Sequence, residues 1–138
     1  MSAKDIFHEA VKRGLQKEGW IITHDPLVVK FAKDKMSVDL GAEKILAAER
    51  GTEKIAVEIK SFLGDSELFE YHAALGQFLN YRLALRLREP ERVLFLAVPV
   101  STYRSLFSRD FAQTSVQEYQ VMLIVYDPKV EVIVQWQS

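Results

Sequence analysis

Met36 to Phe62 reads MSVDLGAEKILAAERGTEKIAVEIKSF, and both the fold and the candidate chemistry turn on this stretch. Within it, Ile55-Ala56-Val57-Glu58-Ile59-Lys60 alternates β-branched residues with others, the pattern of a strand. Successive strand side chains point to opposite faces. Ile55, Val57 and Ile59 therefore share an apolar face, while Ala56, Glu58 and Lys60 share the other. A carboxylate and an ammonium then stand about 7 Å apart along one face. Upstream, Ser37-Val38-Asp39-Leu40-Gly41 repeats the device, with Val38 and Leu40 inward and Asp39 on the other side. Arg50-Gly51-Thr52-Glu53 is a glycine-bearing turn, so the stretch reads as a β-hairpin. If the two segments share a sheet, Asp39, Glu58 and Lys60 converge.

Two carboxylates are hard oxygen ligands suited to Mg²⁺ or Mn²⁺, an ion usually held by one or two protein carboxylates plus waters and substrate phosphate. Such an ion polarises a phosphoryl oxygen and acidifies a bound water. A neighbouring lysine can orient that water and stabilise charge developing on the phosphate. The set suits phosphodiester hydrolysis. The plainer alternative is a solvated cross-strand pair of Glu58 and Lys60, contributing about 0.2–1 kcal/mol.

Asp39, eighteen residues, then Glu58-Ile59-Lys60, preceded by an acid-bearing helix, resembles the PD-(D/E)XK nuclease superfamily. The whole chain more closely resembles the small cyanobacterial family of the fdxN-element excision controlling factor XisH. Asp5-Ile6-Phe7-His8, Gly19-Trp20-Ile21-Ile22-Thr23-His24-Asp25-Pro26 and Val57-Glu58-Ile59-Lys60-Ser61-Phe62 carry that closer likeness. The superfamily likeness implies a restriction-endonuclease-like core, and Asp39 and Glu58 as metal ligands with the Ile59 carbonyl as a third. Lys60 would position the attacking water, with Gln77 and Glu9 as outer helpers. The closer likeness implies a part in excising a DNA element during heterocyst differentiation, alongside a recombinase and a companion control factor.

The 138 residues suffice for one domain, 1–138, with a real core. An apolar fraction of 49% and a charged fraction of 27% are those of an ordinary globule. The absence of cysteine excludes disulfides and thiolate metal sites and suits a cytoplasmic protein. No signal peptide or membrane-spanning run is evident, so neither secretion nor membrane insertion is expected. A net charge of −1 argues against a non-specific nucleic-acid binder, although a local basic patch beside an acidic metal site is compatible with it.

Along the chain, Lys4 to Glu18 has helical spacing, with Phe7, Ala10, Val11 and Leu15 inward, Ser2 as N-cap and Gly19 as the stop. Glu9 lies away from that apolar face, as an exposed helix acid would, and His8 beside it. Trp20–Thr23 reads as a strand and His24-Asp25-Pro26 as the turn that ends it. Leu27–Phe31 is a second apolar run, and Lys30, Lys33, Asp34 and Lys35 form a basic loop. Glu43 and Glu49 read as solvent-facing hairpin residues.

Ser66 caps a long helix from Glu67 to about Arg88, ended by Pro90. It is apolar almost all round, so it is buried or lies against a partner, and a homodimer is expected. Gln77 interrupts that surface with Tyr81 four residues on; it reads either as a site residue or as a buried amide satisfied by backbone. Arg82 and Arg86, four apart, repel unless an anion or acid faces them, which makes them candidates for phosphate or interface contact. Arg92–Val100 and Val121–Tyr126 are buried strands, helical turns fall at Thr102–Phe107 and Asp110–Gln117, and Val130–Trp136 is an edge strand. The order α-β-β-β-β-α-β-α-β-β gives an α/β (α+β) fold, a mixed central sheet flanked by helices.

Two functions of different class remain. One is a metal-dependent endodeoxyribonuclease. The other is a non-catalytic regulatory protein on a nuclease-like scaffold, with DNA, a recombinase and a companion factor as partners. A Ser–His hydrolase and a nucleotide-binding loop lack their motifs.

Overall fold

A computed structural model of the chain describes residues 2–31, 34–36 and 45–138. Its first helix, α1 (Ala3–Lys17), starts where the Ser2 hydroxyl accepts the Asp5 N–H at 3.2 Å and the Asp5 carboxylate accepts the Ser2 N–H at 3.1 Å. It stops before Gly19, whose φ of 89° suits glycine. There follow β1 (Ile21–His24), β2 (Val29–Phe31), β3 (Asp34–Met36), β4 (Ile45–Arg50), β5 (Glu53–Ile59) and α2 (Glu67–Arg88). The chain continues through β6 (Arg92–Pro99), α3 (Val100–Ser105), α4 (Asp110–Glu118), β7 (Leu123–Asp127) and β8 (Val132–Gln137).

Six strands form one mixed sheet in the order β1-β4-β5-β6-β7-β8, and β2 pairs with β3 separately. β5, β6 and β7 run parallel, as their helical crossovers require, and the outer pairings are antiparallel. The Arg50–Glu53 hairpin turn stands, and the strand that enters it is Ile45–Arg50, paired with β5 from Ile45 opposite Glu58 to Arg50 opposite Glu53. Part of the expected basic loop is β3. Among the described residues, five strands precede the long helix. Ser37–Gly41, expected as a strand, lies outside the described residues.

Each face of the sheet carries its own core. Ala10, Val11 and Leu15 of α1 cover Ile55, Val57 and Ile59 on one side. Tyr71, Ala74 and Phe78 of α2 cover Ala56, Leu94 and Leu96 on the other, where α4 joins them. Gly14 lets α1 close on β8, because a Cβ there would sit 3.2 Å from the Ile133 nitrogen. Gly76, on the outer side of α2, has open space around it. Alanine should therefore act with opposite signs at these sites: a cost of about 1–3 kcal/mol at Gly14 from overpacking and a gain of about 1 kcal/mol at Gly76 from helix propensity. Urea midpoints of the dilute protein check this. A shared sign would contradict it.

The end of β1 is tied to α1 through Asp25, which meets His8 Nε2 at 2.9 Å and Lys12 Nζ at 3.1 Å. Burial raises the Asp25 carboxyl, but the hydrogen bonds and charges of His8 and Lys12 outweigh it, holding the group below its ordinary 3.8. A depressed folded value means stability that is present above pH 3.8 and lost as the pH falls through the folded value. Asp25→Asn should cost up to about 1 kcal/mol at neutral pH. That difference should close on acidification in a pH series of urea unfolding curves, and a pH-independent difference would contradict the pairing.

Candidate metal and phosphodiester site

β5 is a central strand, and its alternation puts Glu58 and Lys60 on the α2 side with Ala56. Glu58 is only 1% exposed, so the solvated cross-strand pair does not describe it. Lys60 Nζ lies 4.0 Å from Glu58 Oε1 and donates to Gln77 Oε1 at 2.6 Å. The Gln77 amide thus engages a side chain of the site rather than backbone alone. One turn further along α2, burial and then the charge of Glu58 push the Tyr81 hydroxyl above its ordinary 10.0. Glu58, Lys60, Gln77 and Tyr81 form one polar cluster inside an apolar interior.

The backbone around the cluster is fixed from several directions. Lys60 N–H donates to the Ala97 carbonyl at 3.0 Å, and the Tyr126 hydroxyl donates to the Lys60 carbonyl at 3.1 Å. Phe7 of α1 meets the Tyr126 ring edge-on at 6.3 Å. Just beyond, Phe62 has a φ of 55°, a left-handed conformation that a bulky side chain rarely adopts, with its ring against Phe107. Such strain persists only where surrounding structure holds it, and it clusters at functional sites. The cluster also sits at the carboxyl end of a parallel strand, where open α/β sheets place their ligands. Tyr126 and Phe62 were not singled out from sequence. A tyrosine ending the aliphatic run Leu123–Tyr126 was the one available signal.

The other candidates are placed as follows. Ile59 is buried on β5, one residue past the last pairing with β4. Asp39 lies outside the described residues. Among the described residues, no group of three His, Asp or Glu side chains is placed to hold a metal ion. Glu9 stands on α1, across the sheet from Glu58, with its carboxylate 4.0 Å from Arg13. Arg82 donates to the Tyr119 and Gln120 carbonyls at 2.8 and 3.0 Å. It therefore serves the C-terminal end of α4, whose carbonyls offer the negative charge it needs.

The family model of XisH proteins matches residues 1–134. The chain belongs to the XisH family. Two solved structures agree with the fold of this XisH protein. An XisH family protein from Nostoc punctiforme PCC 73102 is 50% identical, with a TM-score of 0.89 over 97% of this chain and 100% of that one. A fdxN element excision controlling factor protein from Anabaena variabilis gives the same identity and TM-score over 97% of this chain and 99% of that one. No curated protein matches this chain. Among the described residues, no helix is long and apolar enough to cross a membrane.

Proposed function

We propose that this XisH protein carries a metal-dependent phosphodiester-hydrolysing site on a PD-(D/E)XK, restriction-endonuclease-like core. It would act in the excision of a DNA element. The observation that carries the reading is the Glu58 carboxylate, 1% exposed, with the Lys60 ammonium 4.0 Å away. Glutamate is almost never fully buried unless paired, and placing it inside a core costs several kcal/mol before any partner is counted. A scaffold has no need of that cost; a site does.

In this reading Glu58, the Ile59 carbonyl and Asp39 hold a Mg²⁺ or Mn²⁺. When bound, the ion would polarise a phosphoryl oxygen and acidify a water. Lys60, steadied by Gln77, would orient a water and stabilise charge on the phosphate. That water would give up a proton to solvent as its oxygen bonds to phosphorus, and the leaving sugar oxygen, as its bond to phosphorus breaks, would take up a proton from solvent. Glu9 enters as an outer helper; its ion pair with Arg13 makes it the member whose substitution costs least. The partners are DNA, a recombinase and a companion control factor, in programmed excision during heterocyst differentiation, with the chain acting as a homodimer.

One observation favours the second reading, a non-catalytic control protein. The Lys60 ammonium is already engaged by Gln77 at 2.6 Å, as in a structural lock. Supercoiled plasmid incubated with Mg²⁺ or Mn²⁺ separates the two. Nicking by wild type, reduced about 100-fold or more in Glu58→Gln, is the expected result. Equal nicking by the variant, or none by wild type with and without the companion factor, would overturn cleavage at this site.

A further inference from the structure

Helix α2 buries one side against the sheet and leaves a second apolar stripe in solvent. Phe69, Ala73, Gly76, Asn80, Leu83 and Leu87 recur at alternating spacings of four and three, so they fall on one line along the helix. Phe69 is 72% exposed, Leu83 45% and Leu87 54%; Ala73, Gly76 and Asn80 are exposed as well. The helix is 22 residues long, about 33 Å, so the stripe runs nearly its whole length.

When one copy is set against another running the opposite way, the stripe meets its own reverse. Phe69 then lies opposite Leu87 of the second helix, Ala73 opposite Leu83, and Gly76 opposite Asn80. Small residues meet larger ones across the inner layers, and Gly76, where an added Cβ would meet nothing within 4 Å, gives the two backbones room to approach. Asn80 is the one polar residue in the stripe, and such a residue fixes register. Charge agrees. The first turn of α2 carries Glu67, which accepts from the Ser105 hydroxyl, and Glu70, which accepts the Gly64 N–H, and the last turn carries Arg86 and Arg88. An antiparallel pair sets acidic ends beside basic ends and opposes the two helix dipoles. A parallel pair would set like charges together.

We infer that α2 is a self-docking surface, and that its occupant is the α2 helix of a second copy, running antiparallel with its centre between Gly76 and Asn80. This gives the geometry of the self-association in the reading above and rests on it, but not on cleavage. The chain has no cysteine, so introduced thiols report cleanly. Sedimentation of the full chain should give a dimer, and Leu87→Glu, at an exposed position, should weaken it about tenfold or more. Phe69→Cys and Leu87→Cys proteins, oxidised separately, should stay uncrosslinked, and a mixture of the two should crosslink. A dimer without the mixed crosslink, or with each variant crosslinking to itself, would overturn the antiparallel pairing while self-association stands. A monomer at every concentration would overturn both.

Discussion

Lys60→Met is expected to destabilise the protein by about 3 kcal/mol, the lower end of the range for breaking a buried ion pair. The ammonium lies 4.0 Å from a carboxylate that is 1% exposed, and it supplies the 2.6 Å hydrogen bond taken by Gln77. Methionine keeps most of the apolar stem, so the loss measures charge and hydrogen bonding rather than a cavity. Lys60 retains some solvent contact, which is why the lower end applies. A double-mutant cycle isolates the interaction. Glu58→Gln with Lys60→Met should cost less than the sum of the two single changes by about 1–3 kcal/mol. Urea unfolding of the four proteins supplies the comparison, and strictly additive costs would show that the two side chains are not coupled.

The second large effect belongs to the other end of α2. Tyr71 is fully buried, meets the Phe107 ring edge-on at 5.5 Å, and shares a 2.7 Å hydrogen bond with the Ser115 hydroxyl on α4. With Arg82, it joins α2 to α4. Tyr71→Ala should cost about 4 kcal/mol, from lost burial and the cavity left behind. Tyr71→Phe keeps the ring and leaves the buried Ser115 hydroxyl without this partner, at about 1–2 kcal/mol. The ratio of the two costs is the informative quantity. Equal losses would mean that the hydroxyl, not the ring, holds the helices.

Much of this architecture could be read from local patterns. The Ser2–Asp5 capping box, the inward Ala10, Val11 and Leu15, and the Ser66 cap of α2 all rest on interactions within a few residues. The alternation of Ile55, Val57 and Ile59 with Ala56 and Glu58 separated the two faces of β5, and the cores divide along that line. β4 was harder. Ile45–Arg50 contains two alanines and a glutamate, residues poor in strand propensity, and it is a strand because β1 and β5 pair with it on either side. The Arg50–Glu53 turn marks where that strand ends, but nothing within Ile45–Arg50 marks it as a strand.

The site shows the same division. Strand alternation places Glu58 and Lys60 on one face, the resemblance to nucleases adds Gln77, and the structure joins Lys60 to both of the others. Period-two alternation says which face a carboxylate occupies, but not that a helix then seals it. The burial of Glu58 comes from what packs over that face of the sheet, α2 among it. Arg82 went astray for a related reason. Its like-charged neighbour Arg86 suggested an anion, whereas the negative charge it meets is the carbonyl end of α4, visible only once the two helices are placed. Tyr126 anchors Lys60 from 66 residues away, beyond any local pattern.

The central claim is that Glu58 belongs to a metal site. Calorimetric titration of Mn²⁺ into wild type and into Glu58→Ala tests it most directly, with the fold of each checked by circular dichroism. Saturable binding to wild type, lost in the folded variant, is the predicted result. Equal binding by both proteins, or none by either, would contradict it.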